Sequence, residues 1–380
     1  PGCCPCRKRK GGCARRNGLQ ICVYENLTEQ ALTTILAEYS LGAFQSCARI
    51  ELGHVNQKWL LETEEGQYLL KRRHASLRQT SLVQAQNALA QHLRRAGFPA
   101  PTLIRTQYGN PFLAHEGEVY EVQEYVVGDP FDAEDPAHLT SSARMLGLYH
   151  NAIRGFDHQD LHPPAERYGA AALSWTYKKL LANWRTSTTP RDDTTLFKAL
   201  VQELGVHVQD LRIRYLEMGR VPELVIHGDY HRANLVFQGH RIVAVVDYDL
   251  AHWTARAMEV AEAIIAFCTD AELELEHIVY RGALDLALVN RFVTAYLEES
   301  LLSEAEIYAL PDMIRTIWLC ASLDPPLEPP LRRESAPQAL PEILTLAQWA
   351  LAHASEIVEI CLAARDATTV KALPILVRKL

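Results

Sequence analysis

The chain has 380 residues, of which 48% are hydrophobic, 22% charged and 8% aromatic, a balance that supplies a sizeable core and excludes a disordered, collagen-like or coiled-coil chain. Because single cores stop growing at about 250–300 residues, two lobes are expected. Lysine and arginine total 38 against 46 aspartates and glutamates, a formal charge of −8, and the one dense basic run, Arg7-Lys8-Arg9-Lys10 with Arg15-Arg16, lies at the start, so nucleic acid is not an expected partner.

Five of the nine cysteines, Cys3, Cys4, Cys6, Cys13 and Cys22, crowd that same start. Cys3-x-x-Cys6 with Cys13 has the look of zinc ligands, but no second Cys or His pair closes a four-ligand set at ordinary spacing. Residues 1–20 are therefore expected to form a disordered tail outside the fold. No apolar run follows the basic residues before Glu25, which gives no sign of export, and a reduced cytoplasmic protein is expected.

Residues 21–126 read as a first lobe. Asn26 and Glu29 fit a capping box, and Leu27, Ala31, Ile35 and Leu36 form an apolar stripe that ends before Gly42, predicting a short helix. Runs at 48–52, 58–63 and 67–72 predict an antiparallel meander. A helix is expected over 80–96, closed by Gly97 and Pro99, and then strands near 102–105, 112–115 and 118–126. After Gly128 the texture turns to long helices, such as 139–154 and 196–218, broken by one short β segment within 224–247. Residues 127–380 thus read as a mainly helical second lobe, and the fold class is α+β. The most apolar stretch, 343–355, stops at Glu356, short of the roughly 18–20 residues that span a bilayer, so no membrane partner is expected.

The most informative segment is Val225-Ile226-His227-Gly228-Asp229-Tyr230-His231-Arg232-Ala233-Asn234, which leads into two apolar runs, 235–237 and 242–246, separated by Gln238-Gly239-His240. Such runs around a glycine-containing turn are a hairpin signal. Asn234 precedes the first strand and Asp247 follows the second, so pairing sets an amide oxygen and a carboxylate together at the open end. Hard oxygens of that kind suit Mg2+, which takes one or two protein carboxylates and completes its octahedron with phosphate and water. Asp229, on a loop that begins with Gly228, can face the same place as an acid that accepts or orients a proton. No G-x-x-x-x-G-K-[ST], G-x-G-x-x-G or G-x-S-x-G occurs, which closes the P-loop, dinucleotide and nucleophile-elbow routes.

His227-Gly-Asp229-x-His231-x-x-Asn234 followed by Val245-Val246-Asp247 resembles the catalytic and metal motifs of the aminoglycoside phosphotransferase-like family. That family includes choline kinases, kinase-like homoserine kinases and spore-coat proteins, and shares its fold with protein kinases. From about Asn26 onward the resemblance implies a bilobal protein-kinase-like fold. A small antiparallel sheet with one main helix would bind the nucleotide, and a larger helical lobe would carry the catalytic hairpin and the acceptor pocket. It implies Asp229 as the catalytic base, Asn234 and Asp247 as Mg2+ ligands, and Lys71, ending Tyr68-Leu69-Leu70-Lys71, as the phosphate-contacting lysine. Gly53-His54-Val55-Asn56 stands where kinases fold a loop over the phosphates, which makes Gly53, His54 and Asn56 nucleotide-contacting candidates. Glu124 and Val126, in the connection between lobes, join them. The implied reaction moves the γ-phosphate of ATP to a hydroxylated small molecule, and the acidic net charge leans towards cationic acceptors. Asp247 is followed by Tyr-Asp rather than Phe-Gly, so a protein substrate is not expected.

Each residue also has a plainer reading. His227, Asp229 and His231 could form a zinc cluster, or the two histidines could hold the loop by hydrogen bonds; Lys71 could be one more solvated cation beside Arg72 and Arg73. Asp249 could be an accessory ligand or a turn residue, and Trp175, Tyr177 and Trp184 could line a pocket or belong to the core. The rival function is a non-catalytic nucleotide-binding or coat-like protein on the same fold. Two departures from the family pattern stand out. Residues 81–92 offer Gln84, Gln86 and Gln91 but no glutamate to face Lys71, and Met258-Glu259-Val260 stands where relatives often carry an aspartate.

Overall fold

The computed structural model describes residues 13–16, 19–22, 27–50, 55–163, 167–186, 194–269, 282–323 and 336–377. The chain divides into two units, one of residues 1–95 with 99–127 and one of 96–98 with 128–380. Part of the segment expected to be a disordered tail is paired: β1 (Cys13–Arg16) runs antiparallel to β2 (Leu19–Cys22), with Arg16 opposite Leu19. The sequence between them is Asn17-Gly18, a dipeptide favoured in two-residue hairpin connections. Residues 1–12 lie outside the described residues.

Helix α1 (Glu29–Glu38) is capped by Thr28, whose hydroxyl accepts from Ala31 N at 3.1 Å. This replaces the expected capping box, because Thr28 is the extended residue that directly precedes the first turn and its hydroxyl reaches the third helical N–H. Next come β3 (Phe44–Ile50), β4 (Gln57–Thr63), β5 (Gly66–Arg72), α2 (Thr80–Arg95), β6 (Leu103–Ile104), β7 (Leu113–His115) and β8 (Glu118–Glu124). The strands form a six-stranded sheet ordered β3-β4-β5-β8-β6, with β7 also on β8 and every pairing antiparallel. Side chains alternate between sheet faces. One face, carrying Trp59, Leu61, Leu70, Tyr120 and Val122, is buried with Leu27, Ala31, Leu32 and Ile35 of α1. Lys71 and Glu121, directly opposite each other in the β5–β8 register, therefore fall on the other face, where Gln86 of α2 reaches them through Arg73.

The second unit starts with α3 (Pro136–Ala152), whose Asp135 cap accepts from Ala137 N at 2.9 Å. Helices α4 (Ala170–Thr186) and α5 (Thr194–Glu217) follow, then β9 (Glu223–Ile226), β10 (Leu235–Gln238), β11 (Arg241–Val245) and β12 (His252–Ala255). Helices α6 (Arg256–Cys268), α7 (Leu286–Leu297), α8 (Glu304–Leu323), α9 (Ala336–Ala352) and α10 (Ala354–Val377) complete it. Every residue of α6 is buried, as befits a central helix apolar on most of its surface; its one cation, Arg256, meets Glu306 at 2.9 Å and Ser300 at 3.0 Å. Strand β10 pairs with β11, Leu235 opposite Val245 and Gln238 opposite Arg241. Asp129 N and Phe237 O bond at 2.7 Å, so Gly128 lies against that hairpin, and a Cβ there would sit 2.4 Å from Phe237 O. No helix among the described residues is long and apolar enough to cross a membrane.

Candidate active site

The loop between β9 and β10 is fixed at both ends by its own histidines. His227 is fully buried; its Nδ1 accepts from Asp229 N at 3.3 Å, so Nε2 carries the proton and donates to Val246 O at 3.0 Å. Burial lowers its pKa, which keeps the ring neutral in this clamp between the loop and the end of the hairpin. His231 turns its Nδ1 to Ala233 N at 3.2 Å and holds Nε2 3.4 Å from Asp229 Oδ1. Asn234 donates Nδ2 to Asp229 O at 2.8 Å and to Asp229 Oδ2 at 3.0 Å, so its other amide atom is an oxygen of the type Mg2+ accepts.

Burial raises the pKa of Asp229, but the adjacent His231 pulls it further the other way; Asp247 raises it and Arg167 lowers it, leaving it below the ordinary carboxylate value. His231 is displaced upward: burial lowers its pKa, and Asp229, Asp247 and Glu262 more than reverse that. Asp229 is thus a carboxylate beside His231, whose Nδ1 accepts the Ala233 N–H and whose Nε2 faces it. Asp247 follows β11 in the left-handed region, φ 70° and ψ 66°, and its side chain makes no cap bond to the turn Tyr248–Leu250. Aspartate tolerates that conformation better than most residues, yet it is a strained one of the kind that gathers at functional sites. Across the hairpin, Val246 N donates to Asn234 O at 2.9 Å, which brings Asn234 beside the residue that precedes Asp247. Asp249 is buried within the turn.

Beneath the loop lies Glu259 of α6, fully buried. Its Oε1 accepts from Gly228 N at 2.9 Å and its Oε2 meets His150 Nε2 at 2.8 Å, while His150 Nδ1 meets the Tyr296 hydroxyl at 2.8 Å. Burial pushes Glu259 up to about 7, against the pull of His227 and the Gly228 N–H. Burial, then the nearby Arg256, holds His150 well below its ordinary value. Glu259, one of the two departures from the family pattern, thus has a hydrogen-bond partner at each carboxyl oxygen. Arg167 adds a contact to Gly228 O, and the Tyr230 hydroxyl donates to Ser142 O of α3 at 2.7 Å.

In the first unit Lys71 is 2% exposed, which corrects the reading of it as a solvated strand end. It also has an acidic partner, Glu121 Oε2 at 3.9 Å, supplied by β8 instead of α2. Burial raises Glu121, but Arg73 and Lys71 lower it more, and it stays ionised. Asn56 uses Oδ1 to accept from His74 N at 2.9 Å, and Glu124 accepts from the Thr102 hydroxyl at 2.6 Å. Gly53 and His54 lie outside the described residues, and Val126 follows β8. The structure brings Asp229, Asn234 and Asp247 together in the second unit, and places Lys71, Asn56, Glu124 and Val126 in the first. Of the aromatic candidates on α4, Trp175 is 58% exposed with the Lys179 ammonium 4.6 Å from its ring. Tyr177 lies against Gly205 of α5, and the Trp184 side chain is outside the described residues.

Sequence reasoning missed Glu121, Arg73 and Arg167. Arg73 stands two residues after Lys71, a spacing that puts both on one strand face; Glu121 could be found only from the strand register, and Arg167 precedes α4 in no motif.

The phosphotransferase enzyme family profile matches residues 46–299. A homoserine kinase of Phenylobacterium zucineum is 27% identical over 293 residues, 76% of this chain and 82% of that protein. An aminoglycoside phosphotransferase from Alicyclobacillus acidocaldarius superposes with a TM-score of 0.61 at 20% identity, covering 88% of this chain and 98% of that one. An amicoumacin kinase solved with AMP-PNP and Ca2+ gives 0.59 at 14% identity, covering 88% and 94%. The fold is kinase-like: an antiparallel sheet towards the N-terminus and a helical region after it.

Proposed function

The chain belongs to the phosphotransferase enzyme family, and from that premise we propose that it transfers the γ-phosphate of ATP to the hydroxyl of a small amine-bearing alcohol. The observation that carries this reading is the loop geometry: Asp229, held ionised by His231 and bonded to Asn234, beside a carboxylate at Asp247. Phosphoryl transfer is mostly positioning and charge neutralisation. Asp229, an acceptor only while ionised, takes or orients the proton of the acceptor hydroxyl, and His231 keeps it in that state. Asn234 and Asp247 would hold Mg2+; among the described residues no group of three or more His, Cys, Asp or Glu side chains forms a cage, which suits a cation that keeps several waters and phosphate oxygens. When bound, the metal supplies positive charge to the phosphate oxygens. Lys71, in the first unit, is the phosphate-contacting lysine of this reading, and Glu259 with Arg167 holds the backbone of Gly228 so that Asp229 does not drift.

An amine on the acceptor is supported by the acidic surroundings of the loop, Asp229, Asp247 and buried Glu262, and by the names of two relatives, a homoserine kinase and an aminoglycoside phosphotransferase. The test is Mg2+-dependent ADP release from ATP against homoserine, other amino alcohols and the matching alcohols without an amine. Acceptor-dependent release that favours the amines is expected. Nucleotide binding without release for any acceptor overturns the reading in favour of a non-catalytic protein.

A further inference from the structure

The ladder between β5 and β8 continues one residue beyond β5, since Arg73 N donates to Val119 O at 2.9 Å. Lys71 and Arg73 consequently project from the same sheet face, and Glu121, opposite Lys71, projects there too. Glu121 Oε2 takes the Arg73 Nε hydrogen bond and stands 3.9 Å from Lys71 Nζ. From α2, Gln86 Oε1 accepts from Arg73 Nη1 at 2.7 Å. Glu121 is fully buried, and Lys71, Arg73 and Gln86 are 2%, 3% and 3% exposed.

Buried ion clusters are weak contributors to stability, since well-packed apolar side chains of similar volume serve as well or better. Two cations on one carboxylate therefore need a reason other than the fold. Lysine has a long, flexible stem and a compact charge, so a phosphate-contacting lysine requires something to fix its direction. We propose that Glu121 is the positioning residue for Lys71, with Arg73 and Gln86 holding Glu121 in place. The inference rests on the phosphate role given to Lys71 above. It places the anchor of that lysine within the sheet, one strand away, while Gln86 of α2 contributes its amide through Arg73.

The test is a double-mutant cycle on the full chain, reading the Kd for ATP with Mg2+ by calorimetric titration and Tm by thermal melting. Lys71→Met and Glu121→Gln are each expected to weaken binding about tenfold or more, the scale of one charge-assisted contact. In the Lys71→Met background, Glu121→Gln should weaken it no further, because its effect passes through the lysine. If the two losses add in full, Glu121 acts on the fold and the proposal is overturned. If Lys71→Met binds like the wild type, the phosphate role itself fails and takes this inference with it, a result distinguishable from the first. Should Glu121→Gln not fold, since it leaves Arg73 buried without its carboxylate, the pair Arg73→Met with Glu121→Met removes both charges together. The same cycle then applies, and non-additivity with Lys71→Met is again the supporting result.

Discussion

At the scale of single residues the proposed chemistry turns on the protonation state of Asp229. Its pKa lies below the ordinary carboxylate value because His231 outweighs burial, so the base form persists below pH ~3.9. The stability linked to that shift is present above the unfolded pKa and lost as pH falls through the lower folded value. His231→Gln removes the largest attraction, so the acid limb of kcat/KM should move to higher pH; an unmoved limb would show that His231 does not tune the acid. Asp229→Asn keeps the size and most hydrogen bonds, so ATP binding should persist while turnover falls by about 10²- to 10⁴-fold. Normal turnover, or joint loss of binding and Tm, would return Asp229 to a structural role. Asp247→Asn should raise the Mg2+ concentration needed for half-maximal rate, and wild-type metal dependence in that variant would remove Asp247 from the metal pair. The pairing of amide and acid was legible because a hairpin returns the chain to its starting point, so two positions thirteen residues apart in sequence, Asn234 and Asp247, are neighbours by topology alone. Glu121 was not legible, because its meeting with Lys71 depends on which strands pair and in what register.

At the scale of elements, the loop is held by groups that sequence patterns assign to other roles. Long amphipathic segments declared themselves, and α2, α3 and α5 end within a few residues of the periodic stretches. Strand β12 gave no such signal: His252-Trp253-Thr254-Ala255 is short, runs directly into α6, and exists because it pairs with β9, His252 opposite Ile226. That pairing brings Leu250 O to within 2.2 Å of where a Cβ on Gly228 would be, and Gly228 has φ +74°. Gly228→Ala thus combines strain with a backbone clash and should cost about 1–3 kcal/mol or more along with most turnover; an alanine variant with wild-type Tm and rate would show that the loop is not so constrained. Glu259 is the other anchor. Its folded pKa of about 7 exceeds the ordinary 4.5, so its contribution to stability is present below pH 4.5 and lost as pH rises through 7. Glu259→Gln cannot titrate and keeps an acceptor for Gly228 N, so its Tm should change less between pH 5 and pH 8 than that of the wild type. An equal change in both proteins would assign the pH dependence to another group.

At the scale of the whole molecule, the strand with Lys71 and the loop with Asp229 each stand on a core of their own. The lysine strand is backed by Trp59, Leu61, Leu70 and Val122 against α1, all within the first unit. The acid-bearing loop is backed by α6, which packs on α7 and α8 in the second. Ile35 and Ile264 are fully buried, one in each core, and truncation of such a side chain to alanine costs about 2–5 kcal/mol through lost transfer energy and the cavity left behind. Because no residue of the first cluster belongs to the second unit, the cost should stay local and appear as sub-global opening. Hydrogen exchange is the appropriate measurement, since a single melting temperature is poorly defined for a chain with two cores. Ile35→Ala should speed exchange in β4, β5 and β8 and weaken ATP binding through Lys71, while α6 amides keep their protection. Ile264→Ala should do the reverse, loosening α6 and the Gly228 contact and lowering turnover before nucleotide affinity. Loss of α6 protection in Ile35→Ala to the same extent as in the sheet would mean that the two cores open as one cooperative body, and that a mutation anywhere in the first unit reaches Asp229.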